Sequence, residues 1–231
     1  MRRAFFPPGR VPGCLPRRSK YGQICPKLED VVDVIPRDKW PELIAEGVTL
    51  KPYVRQILDQ NGVGSCATES TTQSVMVMQA WQKLPFTSLN PWSIYAFTSG
   101  GRDRGSSIDD NLQHARDVGI LPESVWPRSN GWRRRPPQAL LDEHARKHRI
   151  DEFVDIDSIE ELGTALLKGW PVVFGWRAHS CVLLELLDRD RALYANSYGT
   201  NWGDAGFGII PLASVNFRYG AFAVRSVINP G

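Results

Sequence analysis

The order of local signals predicts an α+β chain with two lobes, helices in the first half and antiparallel strands in the second. Three observations carry this. Ala67 to Leu84 runs without proline or glycine and can hold a helix of several turns. Ser158-Ile159-Glu160-Glu161 is a capping box, with Ile159, Leu162 and Leu166 as its buried stripe and Gly169 as its stop. After Pro171 the pattern changes to short apolar runs separated by Gly, Asp and Asn: Val172–Phe174, Val182–Leu187, Leu193–Ala195, Phe207–Ile210 and Ala221–Val224.

Taken in order, residues 1–28 are rich in proline, glycine and arginine and read as an extended arm on the surface, partly disordered. Residues 29–231 form the folded domain, with a helical lobe over about 41–125 and a strand-rich lobe over about 126–231. Val31 to Pro36 suggests a short strand ending at the proline, and Leu50 to Ile57 leads to a glycine-rich turn. A helix from Cys66 to Leu84 is stopped by Pro85, and Ser88–Trp92 turns the chain into a second, short helix over Trp92–Phe97. Ser99–Ser107 is a flexible loop, followed by a helix in which Ile108, Leu112, Ala115 and Val118 share one face and Gly119 ends the run. Pro122–Pro127 crosses to the second half, and Gln138–Ile150 reads as an exposed helix. Asp188–Arg191 is a hairpin turn between two of the strands.

Several function classes fall away on composition. A net charge of +3 is too small to argue for nucleic acid, and the run Arg133–Arg135 reads as a solvated loop. No apolar run reaches the roughly 18 residues of a membrane span. The opening residues offer too few apolar positions for a signal-peptide core, so a cytoplasmic protein is expected. The four cysteines (Cys14, Cys25, Cys66, Cys181) show no C-x-x-C pairing, which argues against a zinc ribbon and leaves only Cys14 and Cys25 as a possible disulfide. His144 and His148 are four apart, but Arg146, Lys147 and Arg149 beside them oppose a divalent ion; neither metal nor cofactor is expected.

The chemistry points to Gln60-Asn61-Gly62-Val63-Gly64-Ser65-Cys66. A cysteine follows a glycine-rich turn, and Ser65 can cap a helix that begins at the cysteine itself. Backbone N–H groups and the positive end of the helix dipole then favour thiolate. Gln60 can fold back over the turn, and its amide with the Cys66 N–H can hold a developing oxyanion. A base and a group to orient it stand in the last quarter: His179 enters one apolar run, and Asn196 ends the next.

These pieces together resemble the papain-like cysteine peptidases. The matching stretches are Gln60 through Cys66, Ala178-His179-Ser180 before a strand, and Asn196-Ser197-Tyr198-Gly199-Thr200-Asn201-Trp202-Gly203 followed by Gly206-Phe207-Gly208. His179 and Asn196 lie 113 and 130 residues past the cysteine, at or below the family's spacing of roughly 130–150. Val63 stands where many relatives have a disulfide cysteine, Ala67 where an aromatic is usual, and Tyr198 where a tryptophan is usual.

The resemblance implies a two-lobed fold with Cys66 on the helical lobe, His179 and Asn196 on the strand lobe, and a peptide in the cleft between them. It implies peptide-bond hydrolysis in which Cys66 is nucleophile, His179 base, Asn196 orienter and Gln60 oxyanion donor, with Trp202 shielding the His–Asn bond. It also implies substrate contacts at Gly64, Ser65, Gly105, Ser106, Ala178, Tyr198 and Trp202. Only 65 residues precede Cys66, so a full inhibitory pro-segment is not expected. A peptide or protein substrate and a monomer are expected, with neither nucleic acid nor membrane as partner. The competing readings are a papain-like module that binds peptide without cutting it and an acyl transferase of the transglutaminase kind.

Overall fold

A computed structural model describes residues 13–228. The helices are α1 (Trp40–Ala45), α2 (Cys66–Trp81), α3 (Trp92–Thr98), α4 (Ile108–Asp117), α5 (Gln138–Glu143) and α6 (Ile159–Leu167). The strands are β1 (Cys14–Leu15), β2 (Ser106–Ser107), β3 (Arg149–Ile156), β4 (Val172–Trp176), β5 (His179–Leu186), β6 (Arg191–Ala195), β7 (Phe207–Pro211) and β8 (Ala221–Ile228). Six of the strands form one antiparallel sheet in the order β3-β8-β4-β5-β6-β7. The other two, β1 and β2, make a separate short parallel pair.

Alternation along the sheet sorts its side chains between two cores. Val173, Val182, Phe222 and Val224 pack with Val75, Met76, Val77 and Met78 of α2 and with Ile108 and Leu112 of α4. Val172, Phe174, Cys181, Leu183, Ala221 and Ala223 face the other way, onto Leu162, Ala165 and Leu166 of α6 and onto Trp40. Helix α2 therefore lies against the sheet, and its first turn comes to rest at the start of β5, where the hydroxyls of Ser70 and Ser180 meet at 2.6 Å.

Local signals explain the boundaries. The Ser158 hydroxyl accepts from the Glu161 N–H at 3.1 Å and caps α6, while the Glu161 carboxylate accepts from the Asp157 N–H at 2.7 Å. Asp188 closes the β5–β6 hairpin by accepting from the N–H groups of Asp190 and Arg191, both at 2.8 Å.

Five expectations change. Helix α2 starts at Cys66 as read but ends at Trp81, ahead of Lys83 in the left-handed region (φ 58°). Residues 138–150 are not one helix: α5 stops at Glu143 and Arg149 already belongs to β3, which had gone unread. Val31–Ile35 is not a strand; its Ile35 N–H bonds the Thr164 hydroxyl at 2.8 Å, so this segment runs across α6 instead of joining the sheet. Cys14 and Cys25 are both free thiols. Residues 1–12 of the arm lie outside the described residues; residues 13–28 are no solvated tail. Arg17 pairs with the fully buried Asp155 at 2.6 Å, and Leu28 is part of the core.

Candidate active site

The loop before Cys66 is shaped by Asn61 (φ 50°) and Gly62 (φ 77°), both left-handed, with the Val63 N–H donating to the Gln60 carbonyl at 2.9 Å. The turn folds Gln60 beneath Cys66 and zips it to the segment after Asn196. Gln60 N–H donates to the Ser197 carbonyl at 3.0 Å, and the Ser197 hydroxyl donates to Gln60 Oε1 at 2.8 Å. Gln60 Nε2 donates to the Val63 carbonyl at 2.7 Å. From the other side Asp103 Oδ1 accepts from the Gly64 N–H and from the Tyr95 hydroxyl, each at 2.8 Å, and the same hydroxyl accepts from the Gly105 N–H at 3.0 Å. One carboxylate and one phenol thus fix Gly64 and Gly105, which face each other across the groove.

Ser65 precedes the helix, but its hydroxyl does not cap it. That hydroxyl donates to Glu69 Oε1 at 3.0 Å and accepts from the Trp92 indole at 3.3 Å. Glu69 is itself fully buried one turn past the cysteine. Arg128 meets it at 2.7 Å, donates to the Asp59 carbonyl at 2.6 Å and lies over the Trp92 ring. This ion pair ties the first turn of α2 to the residue before Gln60. Burial pushes the Glu69 carboxyl up, and the guanidinium pulls against it.

On the sheet side, β4 turns into β5 through Arg177 and Ala178, both with positive φ (47° and 60°) and neither a glycine. Such a two-residue turn matches the strand twist and sets His179 directly opposite Trp176. Because β5 and β6 are antiparallel, the first residue of β5 and the residue just after β6 lie at one end of the sheet. His179 Nε2 and Asn196 Oδ1 are 2.8 Å apart. The Ser197 N–H also donates to that Asn196 atom at 2.8 Å, which identifies it as the carbonyl oxygen. Nε2 therefore carries the proton, and in the neutral ring the basic nitrogen is Nδ1.

Tyr198, not Trp202, stacks on the imidazole, with centroids 4.9 Å apart and planes 18° from parallel. Trp202 packs edge-on against Tyr198 and so touches the His–Asn pair only at one remove.

The two halves meet near the sulfur: the Ser70 and Ser180 hydroxyls are 2.6 Å apart, and the backbone N–H groups of Gly13, Ser180 and Ala67 pull the Cys66 thiol toward thiolate. Ser180 is the residue after His179, so the start of β5 lies beside the first turns of α2. Gly13 was not foreseen. Gly13–Leu15 lies in the groove itself: the Ser106 N–H donates to the Gly13 carbonyl and the Cys14 N–H donates to the Ala178 carbonyl, both at 2.9 Å. Ser106 and Ala178 thus hold a stretch of the chain's own backbone, with Gly105 packed against the Gly13 carbonyl. Cys66 is 0% exposed and His179 1%.

This burial sets the charge states. It pushes the Cys66 thiol up to about 12, a rise to which Glu69 adds, although the three N–H groups pull the other way. It pushes His179 down to about 4, against the Asn196 bond that would raise it. Near neutral pH the closed site therefore holds a thiol and a neutral imidazole. The expected preference for thiolate at the helix start is outweighed by loss of solvent.

No protein-family profile matches the chain, and no curated protein is similar to it in sequence. Solved structures are similar in fold. Xylellain, a cysteine protease from Xylella fastidiosa, shares 18% identity with a TM-score of 0.69, covering 93% of this chain and 95% of that one. Digestive procathepsin L 3 of the Tenebrio molitor larval midgut shares 17% at 0.63, covering 77% and 69%. The ragweed pollen allergen Amb a 11, a cysteine protease in its proform, shares 16% at 0.62, covering 78% and 63%. A helix bearing a buried cysteine, set against a six-stranded sheet bearing a histidine and an asparagine, gives this chain the two-lobed fold of the papain-like cysteine proteases.

Proposed function

We propose that the protein is a cysteine peptidase that hydrolyses peptide bonds through Cys66, His179 and Asn196. The observation that carries this reading is the convergence on one sulfur of the helix start and of the Ser180 N–H, one residue past a histidine whose Nε2 is already committed to Asn196.

With the groove open to solvent and substrate, Nδ1 of His179 takes the Cys66 proton and the thiolate attacks the peptide carbonyl carbon. The oxyanion rests on the Cys66 N–H and the Gln60 amide. The imidazolium then protonates the leaving amine, and a water activated by His179 cleaves the thioester. Asn196 holds the ring in the tautomer this requires, and Tyr198 covers the ring face that water would otherwise reach.

Incubation with a mixed peptide library tests the reading, with product analysis in the presence of an added amine. Cleavage is expected to vanish in Cys66→Ala and to fall roughly a hundredfold in Gln60→Ala, the usual effect of losing one oxyanion donor. Full activity in Cys66→Ala would end the proposal, and transfer to the amine in place of hydrolysis would make the protein an acyl transferase. Because Ser106 and Ala178 hold the backbone of Gly13 and Cys14, a peptide-binding module is the second reading. Failure of an electrophilic peptide to label Cys66 in an opened groove would favour it.

A further inference from the structure

Arg133, Arg134 and Arg135 are exposed but not loose, because each guanidinium lies on an aromatic ring. Arg133 sits on Trp132 at 4.8 Å, Arg134 on Trp126 at 5.7 Å and Arg135 on Phe97 at 5.0 Å. Arg135 Nε also donates to the Ala96 carbonyl at 3.4 Å, which fastens the run to α3. A guanidinium laid on a ring keeps its N–H edge for a planar, bidentate partner such as a carboxylate.

The same run reaches the wall of the groove. The Trp132 ring packs on Tyr95 with centroids 5.5 Å apart, and the Tyr95 hydroxyl holds both Asp103 and the Gly105 N–H. Asp103 turns its Oδ1 inward, to that hydroxyl and to the Gly64 N–H, while Arg102 and Arg104 on either side of it are exposed. Two separate segments therefore bring Arg102, Arg104 and Arg133 to one rim, beside Gly64 and Gly105. Among the described residues none of these three forms an ion pair. With a net charge of only +3, the chain has no general field of this sign, so the rim is a local concentration of charge. The next residue, Ser106, already donates its N–H to a peptide carbonyl, that of Gly13, at 2.9 Å. A peptide paired there passes the rim. A nucleic-acid backbone needs a longer track of phosphate contacts, and Asp103 breaks this one.

We propose that Arg102, Arg104 and Arg133 form a cationic shelf on the Gly64–Gly105 rim that receives acidic side chains of a peptide or protein substrate. The proposal rests on the peptidase reading of the same groove and names its substrate class.

Fluorescence anisotropy on the full-length chain tests the shelf, since exposed arginines need no opened groove. A labelled peptide with a run of glutamates is expected to bind about tenfold more tightly than its glutamine counterpart, as three exposed ion pairs give, and added salt should shrink the margin. The variant Arg102→Gln, Arg104→Gln, Arg133→Gln should abolish it. Lys39→Gln, Lys168→Gln, Arg189→Gln removes the same charge from exposed positions by α1, α6 and the β5–β6 hairpin, and should keep it. Equal binding of the two peptides by wild type, or equal loss in both triple variants, overturns the shelf. So does a single-stranded DNA oligonucleotide that binds more tightly than the glutamate peptide and displaces it. Should the first variant fail to fold, Arg102→Gln, Arg104→Gln leaves Arg133 on its ring and decides by a reduced margin. Library cleavage separates the two readings. Glutamate-dependent binding with no cleavage keeps the shelf and removes the peptidase; cleavage with no preference in binding does the reverse.

Discussion

Cys66 and His179 are held by opposite kinds of interior. Helix α2 is buried from Cys66 to Gln79, yet Thr68, Glu69, Ser70, Thr71, Thr72, Gln73, Ser74 and Gln79 are polar. Most are kept inside by specific bonds: Thr68 to the Ser65 carbonyl, Thr71 to the Ala67 carbonyl, Glu69 to Arg128, and the Gln79 oxygen from the Thr87 N–H, whereas the Thr72 hydroxyl is buried without one among the described residues. Strands β4 and β5 instead carry Val172, Val173, Phe174, Val182, Leu183 and Leu184, which need only shape and a dry surface. The helix is positioned by pairings that fail singly and at high cost; the sheet is positioned by packing that yields gradually.

The sharpest test of that contrast is Arg128→Met. It leaves Glu69 buried without its counter-charge and is expected to cost about 3–5 kcal/mol in urea unfolding, as for one partner of other buried pairs. The double variant Arg128→Met, Glu69→Gln should recover a good part of this. Val182→Ala, in the sheet, should cost roughly 2 kcal/mol by lost burial and a small cavity. If Val182→Ala proves worse than Arg128→Met, the contrast is wrong.

Acid probes the buried histidines of α4, of the segment before β3 and of β5. Burial pushes His114, His148 and His179 down from 6.5 to about 4. Between those values the unfolded chain binds protons that the folded chain refuses, so their contribution is complete above pH 6.5 and is lost as pH falls toward 4. Urea midpoints at pH 7, 5.5 and 4.5 should decline in that order, and a flat series would show the rings already solvated. The smallest effect is Ala178→Gly. A left-handed alanine costs about 1–2 kcal/mol and glycine gives back part of that in chain entropy, so the melting temperature should rise by a degree or two.

Much of this was legible. Cys66, His179, Asn196 and Gln60 stand in an order with few other meanings, and the cap of α6 and the Asp188 turn are local chemistry. What escaped was non-local or irregular. Strand β3 carries irregularities between Ile150 and Glu152 and between Glu152 and Phe153, so its apolar residues do not alternate. Val31–Ile35 has strand-like composition but packs across α6 and finds no place in the sheet. Ser65 looks like a cap because nothing nearby announces that Glu69 and Trp92 compete for its hydroxyl. The pairing of Arg128 with Glu69, across 59 positions, leaves no trace in either neighbourhood. The N-terminal arm is the clearest case: proline, glycine and arginine describe a loose segment equally well whether or not Arg17 finds the buried Asp155.

The Arg17 anchor also bears on how the chain assembles. Its partner Asp155 is 138 positions away, and Tyr21 reaches Glu161 across 140. Contacts that distant form only after loops of comparable length have closed, which slows folding. Residues 17–21 therefore dock only once the segment that carries Asp155 and Glu161 has been made.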